Sequence, residues 1–127
     1  MKNVIVTGGL GFIGFNALQQ WHMMLPDINF YNVDNETYAA WYKIKTKKLW
    51  LEKHNIPSFC IDISKEYPIK IDLEPIVEKN KIDTIINFAA ESHVDRSVSN
   101  PKIFFESNVI GVVNLLELCR KYGCKFH

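Results

Sequence analysis

The sequence is short of several things, and each shortage excludes a class of protein. Among its 127 residues only Cys60, Cys119 and Cys124 are cysteines, an odd number with no CxxC pair. Neither a disulfide scaffold nor a zinc ribbon is expected, and reduced thiols in a cytoplasmic protein fit better. No apolar run is long enough to cross a bilayer, so no membrane partner is expected. The N-terminus runs from strand-like to glycine-rich, unlike a secretory leader. Net charge is only +1, which provides no field to draw the chain to nucleic acid or to an anionic surface. His22, His54, His93 and His127 have no ligand-like spacing with the cysteines, so no metal is expected. What remains is an ordinary globular mix, 47% hydrophobic and 23% charged. That length suits one domain hiding roughly two-thirds of its unfolded surface.

Glycine is also scarce, but it is concentrated. Four of the six glycines fall between Gly8 and Gly14, in Val4-Ile5-Val6-Thr7-Gly8-Gly9-Leu10-Gly11-Phe12-Ile13-Gly14. A short apolar strand, a glycine turn and the first turn of a helix follow in that order. Glycines permit the sharp turn and the close approach of backbone to a pyrophosphate, and the helix start adds free N–H groups and a positive dipole end. Asp34 lies twenty residues beyond Gly14, at the end of a second apolar strand. That is where a carboxylate accepts hydrogen bonds from an adenosine ribose.

Strand and helix then alternate. Residues 2–7 read as the first strand and about 11–24 as the first helix, with Ile13, Ala17, Trp21 and Met24 toward the sheet. A second strand spans Ile28 to Val33. Residues 38–55 interleave Tyr38, Trp41, Tyr42 and Trp50 with Lys43, Lys45, Lys47, Lys48 and Lys53. Such a stretch suits single-stranded nucleic acid, or else a surface helix with packed aromatics and solvated lysines. The second reading is adopted, because no other basic element reinforces the first. Ile56–Ile61 reads as a third strand, Asp72 as the cap of a helix to about Asn80 with Pro75 in its first turn, and Thr84–Ala90 as the fourth strand. The last helix runs from about Pro101 to Tyr122. It carries two apolar stripes, Phe105-Val109-Val112-Leu116-Cys119 and Phe104-Gly111-Leu115-Leu118, with Gly123 as its stop. So wide an apolar surface suits burial on two sides or contact with a second subunit. Cys124-Lys125-Phe126-His127 opens a fifth strand. The alternation predicts an α/β fold, a doubly wound parallel sheet that stops at the start of its fifth strand; in the order 3-2-1-4-5 that stop falls beside the fourth strand. The fourth strand is then expected to be an exposed apolar edge prone to pairing with other chains.

Five pieces of the chain resemble the extended short-chain dehydrogenase/reductases that act on nucleotide sugars. They are Thr7–Gly14, Asp34 with Thr37-Tyr38-Ala39, Asp62-Ile63, Asn87-Phe88-Ala89-Ala90-Glu91-Ser92-His93-Val94-Asp95-Arg96-Ser97, and Glu106–Gly111 with Asn114–Glu117. The fourth piece, and Thr37-Tyr38-Ala39, are most similar to the dTDP-glucose 4,6-dehydratase branch. The resemblance implies a Rossmann-type NAD-binding domain over residues 1–127, with the substrate domain absent. It implies that backbone groups of Gly8, Gly11, Phe12, Ile13 and Gly14 hold the NAD pyrophosphate and that Asp34 takes the ribose, favouring NAD over NADP. Asn35, Glu36 and Thr37 would line the adenosine side, and Asp62 and Ile63 the adenine. Phe88, Ala89, Ala90, Glu91, Ser92 and Ser107 would follow toward the nicotinamide, with Ser92 also reaching the sugar.

His93, Asp95 and Arg96 are read as bracing their loop rather than as chemical groups. The family's YxxxK pair and Thr-Asp-Glu run do not occur in the sequence, so no catalytic residue is assigned and the 127 residues alone are expected to be inactive. The expected whole is a nucleotide-sugar 4,6-dehydratase and a homodimer through the 101–122 helix. An inactive NAD-binding module and a 4-epimerase-type relative are the alternatives. Ala40, Val112 and the lysine-rich 40–56 segment depart from the family pattern.

Overall fold

In a computed structural model describing residues 1–127, β1 (Asn3–Thr7), β2 (Asn29–Asp34), β3 (Ser58–Cys60), β4 (Thr84–Asn87) and β5 (Lys125–Phe126) form one parallel sheet. Its order is β3-β2-β1-β4-β5, the order expected for the Rossmann-type domain that the resemblance implies. The central strand β1 has Val4, Ile5 and Val6 fully buried, because a parallel sheet with helices on both faces leaves neither face to water. Ile5 joins Val33 and Ile85 in one core layer, and Val4 and Val6 join Leu18, Phe30 and Leu51 in the other. Successive side chains of a strand point to opposite faces, which sorts these neighbours into separate layers.

Helix α1 (Phe12–Met24) packs on the second layer. The expected stripe is displaced: Ile13 and Met24 are exposed, and Gly14 and Leu18 are the buried positions. Gly14 sets the rotation, since a side chain there would collide with the carbonyl of Gly8. The lysine-rich segment is two helices, α2 (Tyr38–Trp41) and α3 (Ile44–Lys53), broken at Lys43, which is left-handed at φ 54°. Leu51 anchors α3, and Trp50 packs edge-on to Phe15 and stacks on His54.

Helical structure on the other face begins at Glu66, ahead of the expected cap at Asp72. It runs through α4 (Glu66–Pro68), a π turn (Ile69–Leu73) and α5 (Glu74–Lys79). Proline clashes with the carbonyl four residues earlier and lacks an N–H. Widening the turn just before Pro75 accommodates both, and Asp72 sits within that wide turn. Beyond β4 come α6 (Val94–Ser99), α7 (Pro101–Phe105), a second π turn (Glu106–Ile110) and α8 (Gly111–Tyr122), with Gly123 ending α8 in the left-handed region. Of the two expected stripes, Gly111, Leu115, Leu118 and Cys119 are buried, while Phe105, Val109 and Leu116 face solvent.

One expectation is overturned. The fourth strand is not an edge: Thr84 and Ile85 pair with Lys125 and Phe126, and Asn87 N donates to His127 O at 2.8 Å. The few residues after Gly123 are enough, because β4 itself is only four residues long.

Candidate functional site

The carboxyl ends of β1, β2 and β4 open into a cleft of about 530 Å³, its mouth included. Open α/β sheets bind their ligands at this edge. The turn after β1 forms the floor. Gly8 adopts φ +71°, its N–H donates to Val33 O at 2.8 Å, and its carbonyl accepts from Gly11 N at 3.0 Å. A side chain at Gly8 would begin 2.6 Å from Ala89 N, so the turn after β1 lies against the start of the loop after β4. Gly11 caps α1 with no side chain bonded there. The first-turn N–H groups of Phe12 and Ile13 are thereby left for a ligand. A floor of bare backbone next to an uncapped thirteen-residue helix fits a pyrophosphate.

Asp34 stands on the next strand. It is 7% exposed, its Oδ2 accepts from Leu10 N at 3.0 Å and its Oδ1 from Glu36 N at 2.8 Å. Burial pushes this carboxyl above its ordinary value, and the two N–H groups work against the rise. Each oxygen keeps a second lone pair, which suits the hydroxyls of a ribose. Ile61 and Ile63 give the cleft an apolar wall.

Asn35, Thr37, Phe88, Ala89, Ala90, Glu91 and Ser107 also line the cleft, together with Gly8, Gly11, Asp34 and Ile63. These eleven of the residues singled out in the sequence come together there. Six do not line it. Phe12 and Ile13 turn their side chains to solvent, and Gly14 is buried beneath the loop. Glu36 is left-handed at φ 54° and faces Lys48, with an ion pair of 2.6 Å. Asp62 accepts from Ser64 N and Oγ at 2.9 and 2.7 Å, a local turn outside the cleft. Ser92 is exposed beyond the rim.

Four lining residues, Val33, Ala39, Ala40 and Ile61, were not assigned to the cofactor from the sequence, and neither was Lys47. From α3, its Nζ donates to Leu10 O at 2.6 Å. The Leu10 peptide is thus held from both ends, by Asp34 at its N–H and Lys47 at its carbonyl. Burial pushes the Lys47 ammonium down while the Asp34 carboxylate opposes the fall. The lysine pattern gave a signal for a basic helix, but not for which lysine reaches the loop. At the far rim, Tyr38 hydroxyl donates to Glu91 Oε2 at 2.8 Å, and Arg96 lies 3.6 Å from the Tyr38 ring centroid. No cluster of His, Cys, Asp and Glu has metal-binding geometry.

Residues 5–127 match the family model described as GDP-mannose 4,6 dehydratase. The dTDP-glucose 4,6-dehydratase of Haemophilus influenzae is 35% identical over 122 residues, covering 96% of this chain and 34% of that protein. UDP-glucose 4-epimerase 2 of Arabidopsis thaliana is 35% identical over 129 residues, covering 98% and 34%. Among solved structures, dTDP-glucose 4,6-dehydratase from Bacillus anthracis in complex with NAD superposes with a TM-score of 0.78 at 31% identity, over 99% of this chain and 36% of that one. The chain therefore spans about a third of the length of the curated relatives it matches.

Proposed function

The chain belongs to the GDP-mannose 4,6 dehydratase family, and from that premise we propose that it supplies the NAD-binding part of an enzyme that remodels the sugar of a nucleotide sugar. One observation carries the proposal: a bare glycine floor and a buried strand-end carboxylate, Asp34, share one cleft. NAD, when bound, supplies a hydride acceptor. The chain's own residues do the rest. Gly8 and Gly11, with the N–H groups that open α1, receive the pyrophosphate. Asp34 accepts from the ribose hydroxyls and repels a 2′-phosphate, which selects NAD over NADP. Ile61 and Ile63 exclude water from one face of the adenine. Glu91 and Ser107 mark the side toward the nicotinamide, and Ser92, just past the rim, is the residue placed to meet the sugar.

Loss of water at sugar C5–C6 to give a 4-keto-6-deoxy sugar is the reaction we favour. Its support is the likeness of Thr37-Tyr38-Ala39 and Glu91–Ser97 to the dTDP-glucose dehydratase branch. A 4-epimerase is the second reading, supported by equal identity to the Arabidopsis epimerase. The exposed row Phe105, Val109, Val113 and Leu116 is the surface through which we propose that two copies pair.

Calorimetry with NAD and NADP tests the cofactor assignment. NAD is expected to bind and NADP to bind at least tenfold more weakly, a difference of about 1.4 kcal/mol. Asp34→Ala is expected to weaken NAD and to narrow that gap. No heat with NAD at millimolar concentration would refute the assignment, and an unchanged gap in the variant would refute the role of Asp34.

A further inference from the structure

Two loops that the sheet keeps apart meet across the cleft. β2 and β4 flank β1 on opposite sides, so their carboxyl ends lie two strand spacings apart, about 10 Å. The loop after β2 leads to Tyr38, and the loop after β4 carries Glu91 and continues into α6. Their side chains close the gap with the 2.8 Å bond from Tyr38 hydroxyl to Glu91 Oε2. The Arg96 guanidinium covers the Tyr38 ring, and the His93 ring approaches it to 5.6 Å. Asn108 fixes the Glu91 end twice, accepting from Glu91 N and donating to Glu91 O, both at 2.8 Å.

This bridge contributes nothing to either core layer, since none of these side chains belongs to one. Its position is specific. The glycine turn follows β1, between the two loops, so the bridge crosses above the floor where a pyrophosphate would rest. Thr37 and Ala39 on one side and Glu91 on the other are walls of the same cleft. A dinucleotide reaching from Asp34 toward Glu91 has to lie beneath it.

We infer that Tyr38, Glu91 and Arg96 form a clasp over the cleft that governs how fast a dinucleotide enters and leaves. The inference rests on the NAD reading above. The bond joins the two loops across the way in and the way out, so it must open for entry as well as for exit. A contact that gates both directions slows both rates and leaves the equilibrium nearly unchanged, whereas a contact made to the ligand slows exit alone. Tyr38 and Arg96 are therefore positioning residues.

Stopped-flow mixing of the chain with NADH, followed by displacement of NADH with excess NAD, reads both rates through NADH fluorescence. Tyr38→Phe deletes only the hydroxyl, and Arg96→Gln removes the cation over the ring. Each is expected to raise association and release together by roughly fivefold, the scale of one typical hydrogen bond or one exposed cation–π contact. The dissociation constant is expected to change less than about twofold, and the melting temperature to fall by no more than a few degrees. Unaltered rates in both variants would overturn the clasp and leave the cofactor reading intact. Faster release with unaltered association would also overturn it, in favour of a direct ligand contact. Failure of the parent chain to bind NADH would overturn the clasp and the cofactor reading together.

Discussion

Asp83 ties the start of the chain to its middle. Its Oδ2 accepts from Lys2 N at 2.6 Å and Asn3 N at 3.1 Å, and its Oδ1 accepts from Thr84 Oγ1 at 2.6 Å. Burial pushes this carboxyl up, but those donors and the N-terminal ammonium outweigh it and leave the group below its ordinary 3.8. A carboxyl lower in the folded than in the unfolded chain stabilises the fold above the unfolded value. That contribution is lost as pH falls through 3.8 toward the folded value. Asp83→Asn is therefore expected to lower the urea midpoint near pH 7, and the gap to the parent is expected to shrink below about pH 4. Urea titrations of both proteins across that range check it. Which single residues were legible follows the same division between near and far. Gly8, Gly11 and Asp34 were legible because a local turn and a strand end fix their places. Lys47 on Leu10, and Tyr38 on Glu91, were not, because each contact joins elements whose relative placement no local spacing encodes.

For the elements, periodicity revealed that a helix has an apolar face and said little about its rotation. In α1 the stripe through Ile13 and Met24 had the right spacing, yet the close approach of Gly14 to Gly8 turns the helix onto Leu18. In the 101–122 region the two stripes are wider than one contact needs, and the sheet takes only the side with Leu115 and Leu118, so the helix is not buried on two sides within the chain. The side left over is 43–57% exposed at Phe105, Val109, Val113 and Leu116. Within α8, Val113 and Leu116 recur at a three-residue step and share one side of the helix, with Phe105 and Val109 exposed on the turns before it. Exposed apolar rows of this extent mark interaction surfaces. Val109→Asp with Val113→Asp is expected to convert a dimer into a monomer in analytical ultracentrifugation. The melting temperature measured at low concentration should stay within a few degrees, since neither side chain fills the core. The wide turn ahead of Pro75 was not legible, because a proline normally starts a helix and here a helix accommodates one.

At the scale of the molecule, the chain holds the cleft and lacks the groups that its resemblance assigns to catalysis: no tyrosine is followed four residues later by lysine. Mixed with NAD and either dTDP-glucose or UDP-glucose, the 127-residue chain is expected to leave the sugar unchanged by NMR. Turnover would return His93 and Asp95 to consideration as acid and base. The parallel, doubly wound sheet was legible from alternation, but its order came with the resemblance, since alternation suits the order 2-1-3-4-5 as well. That so short a β5 already covers the edge of β4 was not legible, because two strand residues give no measure of how much they pair.

The contact between Asn3 and Asp83 has a further effect, on timing. The two residues are 80 positions apart, and a ribosome adding roughly 5–20 residues per second takes about 4–16 s to cover that distance. β1 can pair with β2 as soon as that strand is made, with Asn3 opposite Asn29, but it cannot pair with β4 until that interval has passed. Through the interval Val4, Ile5 and Val6 present an unpaired apolar side to the exit of the ribosome. Of the five strands, the one made before the others and buried deepest is therefore the one that stays half-paired longest during synthesis.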